Sequence, residues 1–341
     1  MKARRFNVAA ALRAGITPPS DPQPSAPEPP PAADPIAAAI ATLERLAPIE
    51  LQRRGFHLQR RDYYSALNDL DFLAANPDLW HNRPLPAGVR WDFAAQLAFV
   101  REVAPYAAEL SDVPWDAPAG RPAYYWNNDF WRGIDALVHY GLLRQLKPRR
   151  VVEIGCGWSS LLLARALERN AVEGTTAKVH QIEPYPREEL LAALPGGWTR
   201  EIAMLQRAAL APFEALEDGD VVFYDGSHVA RAGSDVNWFF FEVMPRLAPG
   251  VVAHVHDVYW PADYPDHWIF ERGQTWNEQY MLQAFLMYND NFELLVANSA
   301  LRAYHRDELE QMYAGARDGI GGGGSVWLRR TVAQDPYGPS T

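Results

Sequence analysis

The chain has 341 residues, 48% of them apolar and 22% charged, which suits one α/β domain with an attached segment and excludes a disordered protein. Its 32 basic and 42 acidic residues give a formal charge of −10, a field that repels phosphate backbones, so nucleic acid is not an expected partner. The single cysteine, Cys156, excludes an intramolecular disulfide framework and a cysteine-based zinc site.

At the N-terminus Lys2, Arg4 and Arg5 precede a five-residue apolar run that Arg13 ends, too short for a secretory core. No run of about 18 apolar residues occurs, so no membrane partner is expected and the chain reads as cytoplasmic. Residues 17–35 are dense in proline, which fixes φ and lacks the amide hydrogen. Residues 1–35 are therefore expected to form a flexible Pro/Ala-rich segment. Over 36–147 apolar residues recur at three- and four-residue spacing, predicting helices at 62–75, 91–110 and 129–146. Proline-containing breakers separate them. This block is expected to be an N-terminal helical cap that covers a cleft or builds a homodimer surface.

From residue 148 the texture changes. Short apolar runs at 151–154, 178–182, 201–204, 221–224, 251–255, 292–297 and 325–329 read as strands. Helical patterns at 159–168, 187–194, 234–247 and 276–288 fall between them. The alternation predicts an α/β fold over 148–331: a doubly wound, mostly parallel, Rossmann-like sheet. Its ligand belongs beyond the carboxyl ends of the strands, where strand order switches. The glycine run 321–324 reads as a mobile loop before an edge strand, and 332–341 as a flexible tail.

The first strand runs into Glu153-Ile154-Gly155-Cys156-Gly157 and then a helix. The glycines permit a sharp turn close to a ligand, and the helix N-terminus offers free amides. A phosphate-gripping P-loop needs a Gly-Lys-Ser/Thr that is absent here. Ser160, where a dinucleotide fold wants a third small residue, leaves NAD open. Glu153 would oppose a pyrophosphate but suits a ligand carrying positive charge. This stretch resembles the first motif of class I S-adenosylmethionine-dependent methyltransferases. The resemblance implies Glu153 near the cofactor's amino-acid moiety, with Gly155, Gly157 and Ser159 in the turn beneath it. It also implies Glu183, which ends the second strand, on the ribose hydroxyls, where a carboxylate accepts strong charge-assisted hydrogen bonds.

Two further strands run into Asp225-Gly226-Ser227-His228 and His256-Asp257 at one sheet edge. With Trp276-Asn277-Glu278-Gln279-Tyr280, this pattern is similar to small-molecule methyltransferases related to macrocin O-methyltransferase, over about residues 124–330. The first hundred residues carry no such resemblance. What it implies is O-methylation of a small molecule, such as a sugar or a glycosylated natural product. Asp225, His228, His256 and Asp257 become the catalytic candidates, with Asp225 also close to the cofactor. Two versions stay open. A divalent cation, Mg²⁺ or Mn²⁺, held by Asp225 and Asp257 would bind vicinal hydroxyls and lower the pKa of one. Alternatively, His228 or His256 alone takes the hydroxyl proton. His256 stands where related branches often place a second carboxylate, and imidazole suits softer ions than Mg²⁺. An NAD-dependent oxidoreductase and a non-catalytic cofactor-binding module are the competing readings. Aromatic residues 124–126 are candidates for closing over the cofactor, and residues 259–265 for a substrate wall. Asn277 reads as a helix cap; His254 and Cys156 read as packed.

Overall fold

The computed structural model describes residues 35–81, 83–120 and 122–331. The N-terminal segment up to 34 and the tail 332–341 lie outside the described residues. Two compact units divide the chain after Ala66. In the first, short helices span Pro35–Leu43 and Pro48–Arg53, the latter capped by Glu50 Oε2 accepting from the Ala47 amide at 3.0 Å. Among the described residues no helix is long and apolar enough to cross a membrane.

The second unit is built on a seven-stranded sheet. Its strands are β1 (Arg150–Ile154), β2 (Lys178–Ile182), β3 (Thr199–Glu201), β4 (Val221–Tyr224), β5 (Val252–Val255), β6 (Phe292–Ala297) and β7 (Val326–Arg330). Their order is β3-β2-β1-β4-β5-β7-β6. The pairs from β3 through β5 are parallel, whereas β7 runs antiparallel to both neighbours. Helices cover both faces, so central strands are apolar on both sides: Val152, Ile154 and Val222 pack on one face, Val151 and Phe223 on the other. The chain moves outward from β1 to β3 and returns to the other side of β1 at β4. Loops leaving β1 and β4 therefore diverge and open a crevice between them.

Several sequence expectations change here. No boundary falls at 147/148, because the sheet unit begins at Leu67. The helix Gly133–Leu146 buries twelve of its fourteen residues and packs on Trp158–Val172, so it is a layer of the fold rather than a cap. Within 62–75 only Leu70–Ala75 is helical, started by Asp69 Oδ1 accepting from the Phe72 amide at 3.1 Å. The pattern at 91–110 folds as the helix Phe93–Val103 followed by a 3-10 turn over Ala104–Leu110, where Pro105 cannot continue the ladder. The third strand is Thr199–Glu201, not 201–204, because Thr199 pairs with His180 through its side chain at 2.9 Å, leaving Ile202 66% exposed. The stretch 234–247 breaks into Asp235–Trp238, a π-turn at Phe239–Val243 and a 3-10 turn ahead of Leu247. Pro245 cannot continue an α ladder there.

The glycine run 321–324 is not a loop into an edge strand, since β7 lies between β5 and β6. It is pinned instead. The Asp135 carboxylate accepts from the amides of Gly323 (3.1 Å), Gly324 (2.9 Å) and Ser325 (2.9 Å). A Cβ on Gly133 would sit 1.9 Å from the Gly321 carbonyl oxygen, so that crossing requires glycine.

Candidate active site

A cavity of about 1110 Å³ opens at the carboxyl ends of β1, β2, β4 and β5, larger than most single-ligand pockets. Its first half is the turn after β1. Gly155 has φ 82°, and a Cβ there would lie 2.0 Å from the Asp225 carbonyl oxygen. Only glycine lets β1 and β4 exit side by side. Gly157 faces open space, with nothing within 4 Å of a built Cβ. Glu183, at the end of β2, accepts from the Cys156 amide (2.9 Å) and the Tyr185 amide (2.7 Å). Each carboxylate oxygen keeps a lone-pair site for a ligand hydroxyl. Gly155, Gly157, Ser159 and Glu183 all line the cavity.

Glu153 does not line it. It is fully buried beneath the turn, where its oxygens accept from Gln181 Nε2 (2.6 Å), Ser160 Oγ (2.8 Å) and Ser159 Oγ (3.4 Å). Burial pushes its carboxyl up to about 7 against those hydrogen bonds. The expected contact with a cofactor's amino-acid end is therefore corrected to support of the turn. Ser160 completes that support by accepting from the Gly157 amide at 3.1 Å. Cys156 is part-buried, and burial followed by Glu153 and Glu183 raises its thiol far above the usual range, so it is no nucleophile.

The second half gathers the catalytic candidates. Asp225 follows β4 and Asp257 follows β5; His228 and His256 complete the group. His228 (φ 62°) and Asp257 (φ 57°) adopt left-handed backbone, a strain of about 1–3 kcal/mol each. His228 Nε2 lies 3.4 Å from Asp225 Oδ1 and 3.5 Å from Asp257 Oδ2. His256 Nδ1 lies 3.6 Å from Asp225 Oδ1 and 3.5 Å from Asp257 Oδ1. One donor atom from each of Asp225, His228 and Asp257 lies within 4.8 Å of the others. Two carboxylates and an imidazole at that spacing fit a divalent transition-metal ion that takes oxygen and nitrogen together, Fe²⁺ or Mn²⁺, better than Mg²⁺, which keeps to oxygen.

Both imidazoles are backed by buried carboxylates that sequence reasoning gave no role in the site. Behind His228, Nδ1 meets Glu278 Oε1, and Glu278 is fully buried. Behind His256, Nε2 lies 3.8 Å from Asp135 Oδ2. Such carboxylates fix ring orientation and tautomer in metal-ligating histidines. Burial opposes charge on both rings, but Glu278 raises His228 to about 9, and Asp257 with Asp225 raises His256 well above its ordinary value. Conversely, burial works against ionised Asp225, yet the neighbouring His256 holds it down to about 2. Glu278 itself is pushed up to about 7 by burial. One signal for Asp135 existed in the sequence: an acid among Ile134, Ala136 and Leu137. Glu278 was visible only as a helix start.

The softer expectations sort as follows. His254 is fully buried, stacked on Phe223 at 4.0 Å between centroids and bonded to Ser325 Oγ at 3.0 Å. Asn277 does not cap its helix through its side chain; Asn277 Oδ1 accepts from the Ala230 amide at 2.6 Å and ties down the loop that carries His228. Of the aromatics expected over the cofactor, Tyr124 and Trp126 are buried core residues and none of 124–126 lines the cavity; Phe130 and Trp131, which the sequence expectation did not include, do. Tyr259 lines it too, its hydroxyl donating to Asp257 Oδ1 at 2.8 Å.

Comparison with known proteins agrees with this layout. Residues 152–258, less than half of the chain, match the family model described as a methyltransferase domain. An uncharacterized protein of Archaeoglobus fulgidus is 31% identical over 103 residues, covering 30% of this chain and 41% of its own length. The chain thus spans less than half of that relative. Among solved structures, an apo form of CmcI is 17% identical, with 80% of this chain and 98% of that one covered, at TM-score 0.36. A CmcI complex titled Mg-SAM is 17% identical, with 79% and 100% covered, at TM-score 0.32. A Haemonchus contortus N-methyltransferase is 13% identical, with 69% and 60% covered, at TM-score 0.36. Structural likenesses this loose carry no functional weight. Residues 152–258, from within β1 to just past the end of β5, are thus similar to a methyltransferase domain.

Proposed function

We propose that the whole chain transfers the methyl group of S-adenosylmethionine to a hydroxyl of a small molecule. The observation that carries this reading is one cavity holding both the Glu183-anchored glycine turn and the cluster of Asp225, His228 and Asp257. The turn and Glu183 hold the nucleoside: Glu183 accepts from ribose hydroxyls, and the open space at Gly157 admits close approach. When bound, the cofactor supplies a methyl carbon on a positively charged sulfur, so the leaving group needs no activation.

The acceptor side must place an oxygen in line with that carbon and remove its proton. Asp225, His228 and Asp257 would hold a divalent cation, which supplies a lowered hydroxyl pKa and a fixed orientation for vicinal hydroxyls. In the reaction the acceptor O–H bond breaks, its proton passes to His256, and the oxygen takes the methyl as the carbon–sulfur bond breaks. His256, held against Asp135 and facing both aspartates, is the proton acceptor in this scheme, its ring neutral because a cation on Asp225 and Asp257 would offset the two charges that otherwise keep it protonated. S-adenosylhomocysteine and the methyl ether leave. A sugar or a glycosylated natural product suits the aromatic wall beyond Asp257, because sugar rings stack on indole faces.

The test uses methyl-labelled S-adenosylmethionine, the full chain and a cell extract, with mass spectrometry of the products. A labelled small molecule whose formation stops in EDTA and returns with Mn²⁺ supports the reading. Full labelling in EDTA leaves methyl transfer standing but removes the cation. No labelled product under any condition, together with no binding of S-adenosylhomocysteine, overturns methyl transfer.

A further inference from the structure

The wall of the cavity beyond Asp257 carries a charge that the rest of the site does not use. Trp268 and Trp276 meet edge to face at 4.7 Å, and Trp276 lies 4.1 Å from the His228 ring. A ring resting on these indoles therefore has its edge beside Asp225, His228 and Asp257. Midway between the two tryptophans in sequence, Arg272 lines the same cavity. Its backbone amide donates to the His267 carbonyl at 3.1 Å, which fixes where the side chain starts. Among the described residues its guanidinium has no ion-pair partner. Gln274, two residues on, also lines the cavity, and its Oε1 is buried with no hydrogen-bond partner among the described residues. A buried polar atom left unpaired costs free energy that a ligand donor recovers.

Several other charges in the cavity are already engaged. Arg132 pairs with Asp318. Asp135 is satisfied by the amides of Gly323, Gly324 and Ser325 and by Asn298 Nδ2 at 2.8 Å. Glu183 is held by two amides at the far end. Arg187, toward that end, lies over the Phe130 ring at 5.2 Å. The wall itself is not loose. Trp80 packs behind it with Tyr264 and Ile269, His81 Nε2 meets Asp266 Oδ1 at 2.8 Å, and Asn68 Nδ2 donates to the Gln274 carbonyl at 3.3 Å. Residues from the start of the unit thus brace the segment that presents Arg272. A braced cation beside a stacking surface is a recognition device, because arginine binds carboxylate and phosphate through two parallel hydrogen bonds.

We propose that the acceptor is acidic: a hydroxylated ring bearing a carboxylate or phosphate, the ring on Trp268 and Trp276, the acid on Arg272, and a polar hydrogen of the ligand on Gln274 Oε1. This rests on the methyltransferase reading and names the substrate class it takes. Calorimetry tests it on the full chain saturated with S-adenosylhomocysteine, using two probe pairs: 3,4-dihydroxybenzoate against catechol, and glucose 6-phosphate against glucose. One acidic probe is expected to bind roughly tenfold tighter than its neutral partner, the effect of one charge-assisted contact. Which pair responds separates a carboxylate-bearing aromatic ring from a phosphorylated sugar. Arg272→Gln, an exposed substitution that leaves the core untouched, is expected to erase the preference while S-adenosylhomocysteine binds as before. Equal binding within both pairs, a preference that survives in Arg272→Gln, or no saturable binding by any probe overturns the proposal. Absence of S-adenosylhomocysteine binding overturns the methyltransferase reading itself, and is read separately before any probe is added.

Discussion

The two halves of the cavity are built by different means. The half proposed to hold the cofactor, at the ends of β1 and β2, is mostly backbone: a left-handed Gly155 pressed against the Asp225 carbonyl, and amides of residues 156 and 185 fixed on Glu183. Its parts lie within about thirty residues of one another. The half proposed to take the acceptor, at the ends of β4 and β5, is a charge cluster whose members come from four distant segments: Asp135, Asp225 with His228, His256 with Asp257, and Glu278. A backbone cradle binds by shape and amide geometry and tolerates little change. A side-chain cluster tunes chemistry and is sensitive to the loss of any one charge. The two halves should therefore fail separately under mutation.

The largest separation is expected from Asp257→Ala. This removes one of three donors around the cluster and leaves Asp225 as the one carboxylate that His228 and His256 still share. Turnover should fall by about a thousandfold, the scale of losing one transition-state electrostatic contact. Affinity for S-adenosylhomocysteine, measured by calorimetry, should change by less than about threefold, since no cofactor-half hydrogen bond involves Asp257. If both constants collapse together, the halves are one unit and the comparison fails.

Glu183→Ala is the converse and should be somewhat smaller. It deletes the acceptor for the Cys156 and Tyr185 amides as well as the one proposed for a ribose hydroxyl. Two charge-assisted hydrogen bonds to ligand correspond to about a hundredfold weaker S-adenosylhomocysteine binding. With saturating cofactor the turnover number should recover to near wild type. A variant that binds the nucleoside as tightly as wild type removes Glu183 from the site.

This contrast also explains what could be read from the sequence. Gly155, Gly157 and Glu183 are legible because a glycine turn after an apolar strand and an acid after the next strand are local signals. Asp225 and Asp257 are legible as the ends of two parallel strands. Asp135 and Glu278 are not, because they reach the histidines across 121 and 50 residues of sequence, and nothing in one chain pairs positions so far apart. Glu153 departs from its sequence expectation for another reason. It sits inside β1, in register with Gln181 on β2, and shares the face of Val151 rather than that of Ile154. Both faces of a central strand are covered, so an acid one residue short of the strand end is buried beneath the turn. Register, not residue type, decides whether it meets ligand.

Glu153 gives the smallest and sharpest test, because it supports the cofactor half without facing it. Burial raises its carboxyl from 4.5 to about 7, opposed by Gln181, Ser160 and Ser159. A carboxyl raised in the folded state contributes stability that is full below its unfolded pKa and lost as pH climbs through its folded pKa. Wild type should therefore lose stability between about pH 4.5 and pH 7 through this group, by roughly 2 kcal/mol once relaxation around a buried charge is allowed for. Glu153→Gln keeps the shape and an oxygen acceptor but cannot ionise, so its denaturant midpoint should fall less over that window and overtake wild type near pH 8. S-adenosylhomocysteine should bind it nearly as well as wild type. Strong loss of nucleoside affinity in Glu153→Gln, with stability intact, would mean that the carboxylate acts on the ligand after all and that the buried position assigned to it is wrong. Unchanged affinity with the flattened stability profile would instead fix its part in the cofactor half: it holds Ser159, Ser160 and Gln181 under the turn, and Glu183 alone presents charge to the nucleoside.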